Sequence, residues 1–333
     1  MLLKIHYLYF NCDRKDVYEL LNNFMNPLNK NVLFTVAYLN AMDFTPTTFE
    51  VWRHYIDIKG RRECCELIDV IEALRELEER LFLSFQKGFW KMGREEPDFF
   101  QNRILKQKIS ITKIKKIIKW NKLFRNIPFL RAVIFNGTLA MKNSNHGSDW
   151  DLLVIVKKDY IWLGRLFLSL TLSLFGKRRH GKMVKDRFCL NHYLTEEGLI
   201  FEEDGIFISN EIAFSFWMVG HDTARRFYQL NDFKNKAFLP NFQSDLIESN
   251  KIKKSKNISK FSFYIEVFLE KIGVANFLNK LAKKFMILKI KNNPKTKKSG
   301  ADIRISDQAL IFLPEPRRNF ILVKAKDLIE KSV

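Results

Sequence analysis

The chain has 333 residues, with 57 Lys or Arg against 37 Asp or Glu, and carries a formal charge of +20 at pH 7. Its 47% hydrophobic content, including 31 phenylalanines, is ample for buried cores and excludes global disorder; 13 Gly and 8 Pro exclude collagen-like or Gly/Pro-rich low-complexity chains. The positive charge is concentrated, since Arg103 to Arg125 holds nine basic residues and no acid, and Lys251 to Gly300 holds 14 lysines against Glu266 and Glu270. The remainder is close to neutral, so an acidic partner, nucleic acid included, is expected at these two strips.

The N-terminal MLLKIHYLYF is too short for a signal peptide and no small-residue cleavage site follows it. Cysteines at 12, 64, 65 and 189 form no CxxC pair and no zinc spacing, which points to a reducing, cytoplasmic compartment. Residues 31 to 96 read as helices followed by a hairpin. Val32 to Ala41 has helical spacing, Thr47 or Thr48 can cap a helix through Val51, Trp52 and Tyr55, and Glu66 to Arg80 is amphipathic. LFLSFQKGFWKMG then alternates around Lys87-Gly88 as two strands and a turn would. Three helices and a hairpin in this order suggest a winged helix. Its third helix, however, sets six acids against Arg75 and Arg80, so it would repel phosphate and is expected to pack or to contact protein.

In the first basic strip, KIKKIIKWNKLF (Lys113 to Phe124) places Ile114, Ile117, Ile118 and Phe124 towards one helical face and most lysines on the other. A solvated helix surface explains this, and its position before the chemical motif adds a nucleotide contact as an alternative. The motif itself lies in RAVIFNGTLAMKNSNHGSDWDLLVIVK (Arg131 to Lys157): a strand, a Gly137-Thr138 turn, a polar loop, then a strand opening with Asp149 and Asp151. Two aspartates two apart on a strand present both carboxylates from one face, where hard divalent cations take oxygen ligands. Gly137 lets the backbone approach a polyphosphate, and the Thr138 hydroxyl can donate to its oxygens. Trp150 faces away from the aspartates and is expected in the core.

Gly-Thr, ten residues, then D-W-D-L-L resembles the nucleotidyltransferase signature of the DNA polymerase β superfamily. Over roughly Asn31 to Tyr228 the chain further resembles bacterial nucleotidyltransferase-domain proteins with a winged-helix-like N-terminal part, through AYLNAMDFTPTTFEVW, GFWKMGREE, IPFLRAVIFNGTLAM, SDWDLLVIVKK and DRFCLNHYL. The resemblance implies an α/β (α+β) fold: a winged-helix-like domain over 1–100, a nucleotidyltransferase domain with a mixed sheet and flanking helices over 101–222, and a basic, mainly helical region over 223–333. It implies metal-dependent transfer of a nucleoside monophosphate from a nucleoside triphosphate to a hydroxyl, with release of pyrophosphate. Asp149 and Asp151 would hold Mg²⁺ or Mn²⁺, and Gly137 with Thr138 would hold the triphosphate. A third carboxylate on a later strand commonly completes such a site and helps deprotonate the acceptor. The candidate strand is Arg187 to Leu194, opened by Asp186, with Asn191 inside it; Asp186 would complete the triad, whereas Asn191 in that position would replace the base with an amide. The alternative function is a non-catalytic protein of the same fold that binds nucleic acid or a protein partner in a regulatory role.

Between these motifs, YIWLGRLFLSLTLSLFG (Tyr160 to Gly176) is apolar but contains Arg165 and falls short of the roughly 20 residues of a spanning helix. A buried core helix and no membrane partner are expected. In the loop after it, Lys177, Arg178, Arg179 and Lys182 either clamp phosphates or are simply solvated. His146, His180 and His192 have no metal-ligand spacing and read as loop or strand residues. The second basic strip begins like a linker, becomes amphipathic from Phe261 to Ile290, and ends in the loop NNPKTKKSG.

Overall fold

The computed structural model describes residues 25–93, 98–201, 205–244, 257–313 and 317–332. MLLKIHYLYF and the linker-like start of the second strip, 251–256, lie outside them. The architecture is mixed α/β, with a six-stranded sheet, a two-stranded hairpin and helices on both faces of the sheet.

Helix α1 (Pro27–Ala41) starts where Asn26 accepts from the Asn29 N–H at 2.8 Å and proline takes the first turn. It is buried on nearly all sides, including Asn31 and Thr35, whose side chains bond Tyr55 and the Ile56 N–H. A capping box between Thr47 and Glu50 opens α2 (Thr48–Arg53). Helix α3 (Leu67–Glu79) buries Val70, Ala73, Leu74 and Leu77 and leaves Glu72, Glu76 and Glu79 in solvent. Strands β1 (Leu83–Gln86) and β2 (Phe89–Met92) pair antiparallel about Lys87-Gly88. The helix, helix, helix, hairpin order read from the sequence is therefore present.

The basic strip forms α4 (Phe99–Ile118) and α5 (Asn121–Arg125). Then follow β3 (Leu130–Phe135), the short α6 (Gly137–Ala140), β4 (Trp150–Val156), α7 (Ile161–Leu174), β5 (Phe188–Thr195), α8 (Ile206–Phe214), β6 (Phe216–Val219) and α9 (His221–Lys236). Helices α10 (Lys260–Lys271) and α11 (Val274–Lys291) come next, separated at Gly273, whose φ of 73° ends one helix and redirects the chain into the other. A 3₁₀ turn (Pro294–Lys297), β7 (Asp302–Ile305), β8 (Ala309–Leu313) and α12 (Arg318–Glu330) complete the chain.

The sheet order is β6-β3-β4-β5-β8-β7; only β4 and β5 are parallel. Side-chain alternation along β4 divides the core. Leu153 and Ile155 face α1, α8, α9 and α12, whereas Trp150, Leu152, Val154 and Val156 face α5, α7 and α11. The C-terminal region is thus not only helical. It contributes the two outer strands beyond β5, and α12 packs on the N-terminal α1. Helix α7 buries Trp162, Leu163, Leu168 and Leu172, but its far end is open, with Leu174 at 86% exposure. Among the described residues no helix is long and apolar enough to cross a membrane.

Candidate functional site

The site forms where β4 and β5 run parallel. Their register sets Asp151 opposite Cys189, and alternation puts Asp149, just before β4, on the same face as Asp151. Trp150 points the other way and packs on Phe188, ring centroids 4.8 Å apart, as expected. Ligand atoms of Asp149, Asp151 and Cys189 all lie within 4.8 Å of one another. Gly137 closes the site from above with φ +64°, and a Cβ built on it would lie 2.6 Å from Asp151 Oδ2. Glycine is needed there twice, for the backbone angle and for the approach.

The electrostatics follow from crowding. Two unit charges within 4.8 Å repel by roughly 3 to 4 kcal/mol at an effective dielectric constant of about 20. Burial first, and the Asp149 charge second, push the Asp151 carboxyl up to about 6, against the hydrogen bond from Cys189. Burial and both aspartates hold the Cys189 thiol well above its ordinary value, so it stays protonated. A third acid, Glu211 of α8, accepts from the Gly137 N–H and is pushed up to about 7 by burial and then by Asp151.

Two arginines balance these charges. Arg179 Nη1 lies 2.6 Å from Asp149 Oδ2 and 3.2 Å from Cys189 Sγ, brought there because the loop after α7 bonds the start of β5, with Arg179 N–H donating to the Phe188 carbonyl. The Asp149 contact is close yet misses hydrogen-bond geometry, so it acts as an ion pair and Oδ2 has no hydrogen-bond partner. Arg317, just ahead of α12, acts electrostatically on both Asp151 and Glu211. Of the loop cations weighed in the sequence, Arg179 enters the site, while Lys177 lies over the Trp150 ring at 5.9 Å.

Asp186 is used elsewhere. Its carboxylate takes Lys113 Nζ at 2.9 Å and Lys116 Nζ at 2.7 Å, and although burial opposes ionisation, these hydrogen bonds hold the carboxyl below its ordinary range. The structure brings Cys189 to the aspartate pair and leaves Asp186 out of that group; Asn191 Oδ1 is buried without a partner. Lys113 also donates to the Ser148 carbonyl at 2.7 Å, bracing the loop that leads into Asp149. No family model, curated protein or solved structure matches the chain.

The remaining sequence candidates resolve plainly. His146 is an exposed loop residue. Burial pulls His192 down to about 4, which keeps it neutral inside β5. Glu211 escaped the sequence reading, although a signal was there: it is the one charged residue in the mostly apolar IFISNEIAF, and a lone carboxylate in such a segment is costly without a partner. Cys189 carried no such signal, because the register between β4 and β5 is not written in either strand alone.

Proposed function

We propose that the chain is a metal-dependent nucleotidyltransferase that moves a nucleoside monophosphate from a nucleoside triphosphate to a hydroxyl acceptor. The observation that carries this reading is the convergence of Asp149 and Asp151 beneath Gly137, whose missing Cβ leaves the room that the Asp151 carboxylate occupies. The residues fit a divalent cation: two carboxylates converge, and Asp149 Oδ2 is buried with its hydrogen-bonding capacity unused. Oxygen donors suit Mg²⁺ or Mn²⁺, and the protonated Cys189 serves better as a donor to Asp151 than as a ligand to a hard ion. A bound cation supplies charge neutralisation and polarises the phosphate.

In the reaction the acceptor oxygen bonds to the α-phosphorus, the bond to the β-phosphate bridging oxygen breaks, and pyrophosphate leaves with that electron pair. Asp149 and Asp151 would hold the cation that meets the phosphates, Gly137 and Thr138 would seat them, and Arg179, beside Asp149, would meet the departing charge. Glu211, outside the Asp149–Asp151–Cys189 group but in electrostatic contact with Asp151, would receive the proton of the acceptor hydroxyl in the role that sequence reasoning gave to Asp186. Around this centre, the helices and hairpin of residues 27–92 form a winged-helix-like unit whose acidic α3 suits a protein contact. The described cysteines are free thiols, which agrees with a reducing cytoplasmic setting.

The test is incorporation of labelled nucleotide from each of the four triphosphates with Mg²⁺ or Mn²⁺, followed by pyrophosphate release. Asp149→Asn combined with Asp151→Asn should abolish it, and undiminished transfer by that variant sinks the assignment. A second reading, a non-catalytic protein of this fold, is favoured by one observation: Arg179 already provides a cation at Asp149. If the protein takes up no Mn²⁺ with or without nucleoside triphosphate, that second reading replaces the first.

A further inference from the structure

Helices α10 and α11 are held firmly to the body by their inner faces. Glu266, 1% exposed, accepts the Phe129 N–H at 2.6 Å and Arg131 at 2.7 Å, and Glu270 pairs with Lys157. On α11, Ala275, Ala282, Met286 and Ile290 are buried against the sheet layer. Both helices nevertheless keep a second apolar face that none of the described residues covers. Phe261, Phe268, Phe277, Leu281, Phe285 and Leu288 are between 53% and 66% exposed. At 3.6 residues per turn, the four on α11 fall within an arc of about 80°. Lys280 and Lys284 are exposed on one flank of that stripe and Lys289 on the other.

Charge selects what this face meets. The only acids of the two helices, Glu266 and Glu270, point inward and are paired, so the outer face presents lysine alone. The whole strip from Lys251 to Gly300 contains 14 lysines and no arginine. Guanidinium forks are the groups that read phosphates and bases bidentately, and leucines add nothing to base stacking. Flexible ammonium stems beside inserted phenylalanine and leucine are instead the pattern of a helix lying at a lipid interface.

We propose that the outer face of α10 and α11 docks the protein on an anionic lipid bilayer, with the helices lying in the interface plane. The sequence expectation of no membrane partner concerned a spanning helix, and none is present among the described residues; surface docking needs none. In flotation, the full chain should associate with phosphatidylcholine vesicles containing about 30 mol% phosphatidylglycerol, weakly with phosphatidylcholine alone, and less as salt rises. Phe277→Ser with Phe285→Ser should weaken the association by about tenfold or more, since inserted aromatic area is lost. Lys280→Gln with Lys284→Gln should weaken it by roughly fivefold per lysine on anionic vesicles only. All four side chains point to solvent or lie at its edge, and unchanged circular dichroism and unfolding midpoints separate these effects from misfolding. Absence of flotation with anionic vesicles would overturn the proposal, as would equal flotation by the phenylalanine variant. Dimerisation lost in that variant would assign the face to a second copy, and single-stranded RNA bound by the wild type but not by the variant would assign it to RNA; either result overturns lipid docking.

Discussion

In the strip from Arg103 to Arg125 three cations, Arg103, Lys106 and Lys113, turn inward to partners while the other lysines stay exposed, whereas in the strip from Lys260 to Lys291 the lysines stay at or near the surface beside exposed aromatic rings. Arg103, 3% exposed, bonds the Thr45 and Lys142 carbonyls and the Glu50 carboxylate, and lies 4.2 Å from the Phe44 ring centroid. Lys106 pairs with Asp43, and Lys113 with Lys116 shares Asp186. The first strip is therefore a brace that ties the N-terminal helices to the sheet and to the loop before Asp149. Net positive charge has two different physical uses in the two strips, and what decides between them is where the counter-ions sit. Asp43, Glu50 and Asp186 lie far from the first strip in sequence and come to it only on folding.

The largest effect should come from breaking that brace. Arg103→Ala removes a buried cation with three hydrogen bonds and leaves Glu50 without its partner, so unfolding free energy should fall by about 3 to 5 kcal/mol in a urea titration. A loss within about 0.5 kcal/mol would mean that this strip is solvated after all, as helical periodicity alone suggested.

Asp186→Asn sharpens the same contrast at the edge of the site. Lys113, with a side chain 4% exposed, loses its counter-ion, and stability should drop by about 2 to 4 kcal/mol. Mn²⁺ affinity should fall by about tenfold, the low end of the roughly 10- to 100-fold range expected when a residue supports ligands without being one. If instead Asp186→Asn removes metal binding as completely as Asp149→Asn, Asp186 is a ligand and the first strip serves the chemistry directly.

These expectations mark where sequence reasoning stopped. Elements with local signals were legible: the helix cap at Thr47, the Lys87-Gly88 turn, the break in the chain at Gly137-Thr138 and the D-x-D strand all appear where the residues put them. Non-local pairing was not. Nothing in DIRI or ALIFL states that these short strands extend a sheet beyond β5, which is why the C-terminal region read as mainly helical with no strand placed in it. Nor could the spacing of Asp186 from the D-x-D reveal the two lysines of α4 that engage it, or the parallel register that delivers Cys189 to Asp151. The face of α10 and α11 was visible as amphipathic, but only the packing shows that the helices already have an inner face and present a second apolar one outward.

A third prediction concerns charge that neither strip neutralises. The Glu211 carboxyl is pushed up to about 7 in the folded protein from 4.5, by burial and by Asp151. Its folded value exceeds its unfolded one, so its contribution to stability is fully present below about pH 4.5 and is lost as pH rises towards 7. In metal-free protein, Glu211→Gln should therefore be more stable than wild type at pH 8 by about 3 kcal/mol, with the difference vanishing near pH 4. Thermal unfolding across that range measures it. A pH-independent difference would show that cations other than Arg317 already hold Glu211 ionised.

The smallest expected effect tests the second strip as structure. Lys284 is exposed on α11 among other lysines, so Lys284→Ala removes repulsion with its neighbours and no buried contact. Alanine also has the stronger helix propensity, so stability should change by about 0.5 kcal/mol or less, if anything upward, and any gain should shrink as salt screens the lysines. A loss above about 1 kcal/mol would show that Lys284 anchors α11 as Arg103 anchors α4, and the contrast between the strips would collapse. A neutral result combined with weaker vesicle association would have the opposite meaning. The lysines beside the open phenylalanines would then serve a partner rather than the fold, since the fold is indifferent to them.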